Sequence, residues 1–218
     1  MWWIFFLALQ ANNLGYNRDM RVWDEKYKRG DHTTREPSHL LLRAVKQLKP
    51  GRALDIACGV GRHALFLAEK AWEVIAIDSS RVAIEILQRR AREGGLTVDA
   101  RVADLELGEF TIEQERYDLI CDFYYLQRSL FPQIRAGVKM GGTIVAAIHI
   151  IDEDPASRLA NPAFSLEPGE LRAEFQDWEI EYYLEGQPRD RDHHRRTAEI
   201  IARKVQRAKS KELLSLCP

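Results

Sequence analysis

The sequence predicts an α/β protein with a doubly wound, mostly parallel sheet of seven strands and an antiparallel hairpin at one edge. From residue 51 onward, short apolar runs alternate with amphipathic runs of helical periodicity, the pattern of parallel strands joined by crossover helices. A short segment rich in Gly, Pro and charged residues joins the last two apolar runs, and so short a connection favours antiparallel pairing. A glycine-rich turn after the first strand indicates a Rossmann-like sheet.

Each element has a local signal of its own. A helix over 40–48 is predicted by apolar residues at helical spacing, and Pro50-Gly51 ends it. Ser79 or Ser80 is the expected N-cap of the helix that Gly94-Gly95 stops. Pro132 lies in the first turn of a later helix, where proline is tolerated. The predicted strands are 52–58, 73–78, 97–104, 117–126, 143–150, 178–186 and 195–205, with further helices over 62–70, 79–95, 129–138 and 167–175.

Composition narrows the class of protein. The chain has 218 residues, enough for one sizeable domain. Its 32 Lys and Arg residues balance 33 Asp and Glu residues, so net charge does not favour nucleic acid or acidic membranes as partners. The three cysteines are odd in number and far apart, which predicts reduced thiols in a cytoplasmic protein. They show no metal-ligand spacing, and we expect no metal site.

The first nine residues, MWWIFFLAL, are apolar but too few to span a bilayer as a helix. They lack a preceding Lys or Arg and a following small-x-small cleavage site, so they do not match a signal peptide. Three interpretations stay open: an upstream extension before a functional start at Met20, a native segment that packs on the body or a partner, and a poor targeting signal. The expected organisation is an apolar extension over 1–19, a helical segment over 20–50, the main domain over 51–206 and a tail over 207–218.

The glycine turn admits two classes of cofactor. Gly59, Gly61 and Ala64 match the G-x-G-x-x-A dinucleotide pattern, and Asp78 lies near the position of an acid that binds a ribose. An NAD-type site is therefore allowed, although this match alone is weak. Asp55 favours the other class, because a carboxylate at the end of the first strand repels a pyrophosphate and attracts a cation. S-adenosylmethionine has both a sulfonium and an ammonium group.

A third acid, Asp104, follows the third strand and precedes the apolar Leu105. Such a carboxylate can accept a hydrogen bond from an adenine amino group while the next backbone N–H donates to the ring. Acidic residues therefore end three successive strands, at Asp55, Asp78 and Asp104. This constellation is more specific than the glycines, and it favours S-adenosylmethionine.

With these residues the chain resembles a class I S-adenosylmethionine-dependent methyltransferase, and within that superfamily the tellurite-resistance and thiopurine methyltransferase-like group. The resemblance runs from about Trp23 to Val205. The segments that carry it are WDEKY at 23–27, LDIACGVGRHALFLAEK at 54–70, IDSS at 77–80, DFYYLQRSLFP at 122–132 and NPAFSLEPGEL at 161–171.

The resemblance implies a role for each candidate cofactor residue. Asp78 would accept both ribose hydroxyls, with Ser79 beside them, and Asp104 and Leu105 would hold the adenine. The segment over 20–50 would close over the cofactor. The floor for the methionine part would be formed by Asp55, Ala57, Gly59 and Gly61. The sulfonium would lie near Asp122 and Phe123. The closing segment would contribute Trp23 and Tyr27.

The methyl acceptor is expected at the carboxyl ends of strands four and five, where Tyr124, Tyr125 and His149 lie. His149 stands where the group has an acidic residue, which puts an acid role there in doubt. The turn RDRDHHRRT at 189–197 is similar to a His/Arg cluster of the group, and Arg196 within it would orient an anion. A solvated charged turn is the alternative. His149 and Arg196 are the candidate catalytic residues.

The resulting hypothesis is an S-adenosylmethionine-dependent methyltransferase that acts on a small-molecule acceptor such as an oxyanion, a thiol or a carboxylate. A thiolate or an inorganic oxyanion would need no general base. Two alternatives remain: an NAD-linked oxidoreductase on the same kind of sheet, and a non-catalytic methyltransferase-like binding protein. A basic face or an added recognition domain would indicate a nucleic-acid substrate, and neither is evident. The sequence leaves the oligomeric state open.

Overall fold

The computed structural model describes residues 22–152, 159, 161–190 and 193–206. The expected extension over 1–19 and tail over 207–218 lie outside the described residues. The described chain forms one sheet in the order β3-β2-β1-β4-β5-β7-β6. Its strands are β1 Arg52–Ile56, β2 Glu73–Asp78, β3 Asp99–Val102, β4 Tyr117–Phe123, β5 Val138–His149, β6 Glu179–Gly186 and β7 Thr197–Arg203.

The strand directions confirm the predicted fold class. Neighbouring strands from β3 through β5 pair in parallel, and β7 is antiparallel to both β5 and β6. β3 is shorter than the predicted run 97–104. β5 begins earlier than predicted, because Val138 pairs with Tyr117 before the register shifts to pair Thr143 with Leu119. Gly141, with φ of 80°, lies inside this shift and accommodates the extra residues.

Helices flank the sheet, as the alternation of elements predicts. α1 covers residues 22–28, and the others are α2 His39–Val45, α3 Arg62–Glu69, α4 Arg81–Glu93, α5 Phe131–Gly137 and α6 Glu170–Glu174. Successive residues of β1 enter two different core clusters, Leu54 in one and Ala53 in the other, because side chains alternate across a strand. The sheet is therefore covered on both faces. No helix in the described part is long and apolar enough to cross a membrane.

The glycine turn depends on tight packing between α3 and α4. Gly61 is the N-cap of α3 and has φ of 80°, a conformation that favours glycine. A Cβ on Gly61 would lie 2.4 Å from Cγ of Leu87, a fully buried side chain of α4. The space beside Gly61 is thus occupied by Leu87 and is not left for a ligand. Ser80 rather than Ser79 is the N-cap of α4, because its Oγ accepts the Ala83 N–H at 3.1 Å.

We expect Gly61→Ala to destabilise the protein more than Gly95→Ala. Both glycines have positive φ, but a Cβ on Gly95 would meet nothing within 4 Å. Backbone strain alone costs about 1–2 kcal/mol, and overpacking against Leu87 adds about 1–3 kcal/mol. Urea denaturation of both variants measures the difference. The double variant Gly61→Ala/Leu87→Ala should lose less stability than the sum of its single changes, and simple additivity would contradict the packing role.

Candidate functional site

The candidate site lies where the strand order reverses, beyond the carboxyl ends of β1 and β4. In open α/β sheets this crevice is where ligands bind. The residue that follows each of the two strands has a left-handed backbone without being glycine: Ala57 has φ of 48° and Tyr124 has φ of 64°. Such conformations cost free energy and cluster at functional sites. The predicted residue Ala57 directly follows the carboxyl end of β1, beside this crevice.

Asp55 and Asp78 form a buried acidic floor beneath the glycine turn. Asp55 is 1% exposed, and its Oδ2 accepts the Ala64 N–H at 3.1 Å. Burial raises the pKa of Asp55 to about 7, although the hydrogen bond from the Ala64 N–H acts to lower this pKa. Asp78 accepts the N–H groups of Gly59 at 2.7 Å and Ser80 at 2.8 Å, one on each carboxylate oxygen. Burial nevertheless raises the pKa of Asp78 above its ordinary value.

Asp122 adds a third buried carboxyl next to this floor. It is 3% exposed, and its Oδ1 has no hydrogen-bond partner among the described residues. Burial, reinforced by the charge of Asp55, raises the pKa of Asp122 well above its ordinary value. An orphaned acceptor in a buried place is costly unless a ligand supplies the missing contact. The neighbouring Phe123 packs with its ring centroid 4.0 Å from that of His63.

The third predicted acid, Asp104, shapes its own loop. Its Oδ1 accepts the N–H groups of Glu106 at 2.7 Å and Leu107 at 3.0 Å, which turns the chain after β3. Leu105 is buried in the core. Ser79 is half-buried beside Asp78. These residues lie at the carboxyl edge of β2 and β3, on the far side of the acidic floor from β4.

α1 lies across the glycine turn through Tyr27. A Cβ on Gly59 would be 2.8 Å from the Tyr27 hydroxyl oxygen, so Gly59 makes room for this aromatic ring. Trp23 stacks on Tyr27 with ring centroids 5.8 Å apart and stays 41% exposed. The Ser80 hydroxyl donates to Asp24, which ties α1 to the start of α4. Burial raises the pKa of Tyr27, and the charge of Asp78 raises it further.

Three aromatic rings meet beyond the carboxyl ends of β4 and β5, and we call them the ring cluster: Tyr124 after β4, His149 at the end of β5 and His193 from the β6–β7 connection. Tyr124 and His193 stack with centroids 3.5 Å apart, and His149 lies 5.3 Å from Tyr124. Burial lowers the pKa of His149, and Arg195 lowers it further. The predicted residues His149 and Arg196 are neighbours through their backbones, because Arg196 immediately precedes Thr197, which pairs with His149. The charge that acts on the His149 ring is that of Arg195. Among the described residues no group of His, Cys, Asp or Glu could hold a metal ion.

Asp190 is the polar residue of this region that sequence reasoning missed. Its side chain is 7% exposed, and Oδ2 accepts from Arg62 Nη2 at 3.1 Å and from the Tyr124 hydroxyl at 3.0 Å. Its Oδ1 accepts the His39 N–H at 3.1 Å. The sequence has no signal for this arrangement, since Asp190 stands in a run of alternating charges that is typical of a solvated turn. The carboxylate of Asp190 instead points into the protein, toward Arg62 and Tyr124.

Comparisons with known proteins agree with this geometry. The family model described as "Tellurite resistance protein TehB" matches residues 16–201. A protein of Haemophilus influenzae named "Probable S-adenosyl-L-methionine-dependent methyltransferase TehB" is 27% identical over 150 residues, which cover 65% of this chain and 51% of that protein. "Hemagglutinin 1" of Eikenella corrodens is 32% identical over 152 residues, covering 65% of this chain and 48% of its own length. The chain thus spans about half the length of these curated relatives.

The crystal structure of TehB from Haemophilus influenzae has the same fold, with a TM-score of 0.67 at 23% identity. The superposition covers 83% of this chain and 67% of that one. The matched family region contains the glycine turn, the acidic floor and most of β7. The chain therefore belongs to the TehB family.

Proposed function

We propose that this protein is an S-adenosylmethionine-dependent methyltransferase that acts on a small-molecule acceptor. The observation that carries the proposal is the buried acidic floor of Asp55 and Asp78 under the glycine turn. Buried carboxylates at a ligand crevice favour a ligand with a cationic end. The printed name of the Haemophilus influenzae relative supports the same cofactor. The widely spaced, odd-numbered cysteines support a cytoplasmic location.

The same floor disfavours the NAD-linked alternative. A dinucleotide site offers the N–H groups of its glycine turn to a pyrophosphate. Here the Gly59 N–H donates to Asp78, and the Ala64 N–H, in the first turn of α3, donates to Asp55. Two carboxylates therefore occupy donors that a phosphate would need. A non-catalytic binding protein is also disfavoured, because the predicted acids of the cofactor site are all present.

In this proposal each part of the cofactor has a matching group on the chain. Asp78 would accept the ribose hydroxyls, and the Oδ2 of Asp104 with the Leu105 N–H would hold the adenine. Asp55 and the orphaned oxygen of Asp122 would face the cationic end. When bound, the cofactor would supply a methyl group on a cationic sulfur. Trp23 and Tyr27 on α1 would cover the turn and keep water from it.

The chain's contribution to transfer would be alignment of the acceptor and exclusion of water. A lowered pKa keeps His149 neutral at pH 7, so it can accept a hydrogen bond but cannot attract an anion. That attraction would come from Arg196, whose guanidinium always carries charge. An oxyanion, a thiol or a carboxylate suits such a pair, and the name of the family makes tellurite the first oxyanion to examine.

Calorimetric titration of the purified protein with S-adenosylmethionine and with NAD tests the function directly. We expect S-adenosylmethionine to bind and NAD to give no measurable heat. Asp78→Ala should abolish the binding, because it removes the acceptor for the ribose hydroxyls and frees the Gly59 N–H. Exposed Asp99, at the start of β3, provides the matched control Asp99→Ala. Tight NAD binding without S-adenosylmethionine binding would contradict the proposal.

Cofactor affinity should fall as the pH is lowered below 7. The free protein holds Asp55 with a pKa of about 7, and a cationic ligand requires its ionised form. Linkage then predicts affinity about fivefold weaker at pH 6 than at pH 7, and roughly a further tenfold weaker at pH 5. Titrations in buffers of different ionisation enthalpy would detect the released proton. Asp55→Asn should bind weakly with a flatter pH profile, and an unchanged profile in that variant would exclude Asp55 as the titrating group.

Arg196→Ala should slow transfer to an anionic acceptor while leaving S-adenosylmethionine affinity nearly unchanged. One lost charge-assisted contact is worth about 1.5–3 kcal/mol, or roughly ten- to a hundredfold in rate. Arg196→Lys should recover part of the rate, because an ammonium cannot reproduce a bidentate fork. Steady-state rates with tellurite measure the effect, and exposed Arg89 supplies the control Arg89→Ala. An equal loss of cofactor affinity would place Arg196 in the cofactor site or the scaffold instead.

A further inference from the structure

We propose that Asp190 is a positioning residue that fixes the ring cluster of Tyr124, His149 and His193 at the acceptor side of the crevice. Its carboxylate does not itself have to touch an acceptor. It holds Tyr124 and, through Tyr124, the stacked ring of His193. The catalytic consequence rests on the proposed methyl transfer, whereas the positioning itself can be measured without any transfer.

Asp190 joins three elements that are distant in sequence. It accepts the backbone N–H of His39 at the start of α2, the guanidinium of Arg62 at the start of α3 and the hydroxyl of Tyr124 after β4. These partners are 151, 128 and 66 positions away along the chain. A single side chain therefore attaches the β6–β7 connection to α3, the helix whose N-cap is Gly61. Moving that connection would break all three contacts together.

The ion pair between Asp190 and Arg62 is buried, which distinguishes it from ordinary surface pairs. The two side chains are 7% and 12% exposed. Burial alone would raise the pKa of Asp190, but Arg62 and the hydrogen bonds from His39 and Tyr124 lower it below its ordinary value. Asp190 is therefore ionised at neutral pH. Breaking a buried pair leaves an uncompensated charge, so its geometry is held firmly.

Asp190 also determines where the His193 ring lies. The His193 N–H donates to the Asp190 carbonyl at 3.2 Å, while the Asp190 carboxylate holds the hydroxyl of Tyr124. Both members of the 3.5 Å stack are thus attached to one residue. Tyr124 needs this support, because its left-handed backbone is unfavourable for a non-glycine residue. His149 lies 6.4 Å from His193 and completes the ring cluster.

The proposal is tested by the proton NMR signal of His193. In the wild-type protein the stacked Tyr124 ring should shift this signal upfield. The signal is assigned by its absence from the spectrum of the His193→Gln variant. Burial and the charges of Arg62, His149 and His32 hold the pKa of His193 down at about 4, while Asp190 acts to raise it. In Asp190→Ala we expect the upfield shift to be lost and the pKa of His193 to rise toward its ordinary value of about 6.5.

The direction of the pKa change separates positioning from a simple charge effect. If Asp190 acted only as a nearby negative charge, its removal would lower the pKa of His193 further. A His193 signal that keeps its upfield shift in folded Asp190→Ala would overturn the proposal. Asp190→Asn, which conserves volume but loses the charge, decides the question if the alanine variant does not fold. Tyr124→Phe, which keeps the ring without its hydroxyl, should weaken the stack in the same direction.

Asp177→Ala is the matched control. Asp177 also pairs with an arginine, Arg135, at 2.7 Å, but this pair lies by α5 and α6 and away from the ring cluster. We expect it to leave the His193 signal unchanged. A similar change in both variants would indicate general destabilisation and would contradict a specific role for Asp190.

A transfer assay with S-adenosylmethionine and tellurite as probes measures the functional consequence. Asp190→Ala should raise the KM for tellurite or lower kcat by about tenfold, within the usual range for one misplaced contact, while S-adenosylmethionine affinity stays within about twofold. An unchanged tellurite KM and kcat would refute the link to catalysis. Absence of S-adenosylmethionine binding in the wild-type protein would refute the proposed function instead, and the NMR result would still decide the positioning role.

Discussion

The burial of carboxyl groups at one edge of the sheet is the constraint on which the rest of the site depends. Asp55, Asp78 and Asp122 all lie in water-poor surroundings where an isolated charge is strongly disfavoured. Backbone N–H groups compensate the first two, and these donors exist only because the glycine turn and the first turn of α3 bring them there. The third acid keeps an unsatisfied oxygen. A ligand that carries positive charge would compensate the buried carboxylates of the free protein.

Much of this architecture was predictable from local patterns. The alternation of strands and helices, the glycine turn and the final hairpin are short-range signals, and the observed sheet confirms them. The acids of the site were also identifiable, because in a parallel sheet the residues at successive strand ends must share one edge. Their roles toward a cofactor stay predictions. Strand limits were less accurate at β3 and β5, where pairing with neighbours rather than local composition sets the ends.

The features that could not be predicted all depend on contacts between distant segments. Gly61 and Gly59 look equivalent in the sequence, yet the first makes room for Leu87 and the second for Tyr27. Asp190 and its neighbours alternate in charge like any solvated turn, and only the folded chain shows that its carboxylate points inward to Arg62. Composition and periodicity describe one segment at a time. They do not say which segment lies opposite another.

The position of β7 between β5 and β6 has a consequence for biosynthesis. β6 is made before β7 but pairs only with it among the described strands, so the sheet edge cannot form until β7 has emerged from the ribosome. The glycine turn and the acids of β1, β2 and β4 precede that moment, whereas His193 and Arg196 lie in the connection that leads into β7. During synthesis the half of the crevice proposed to bind the cofactor can therefore assemble first, and the half proposed to bind the acceptor is completed last. Until then β5 exposes an unpaired edge, which is a risk for aggregation.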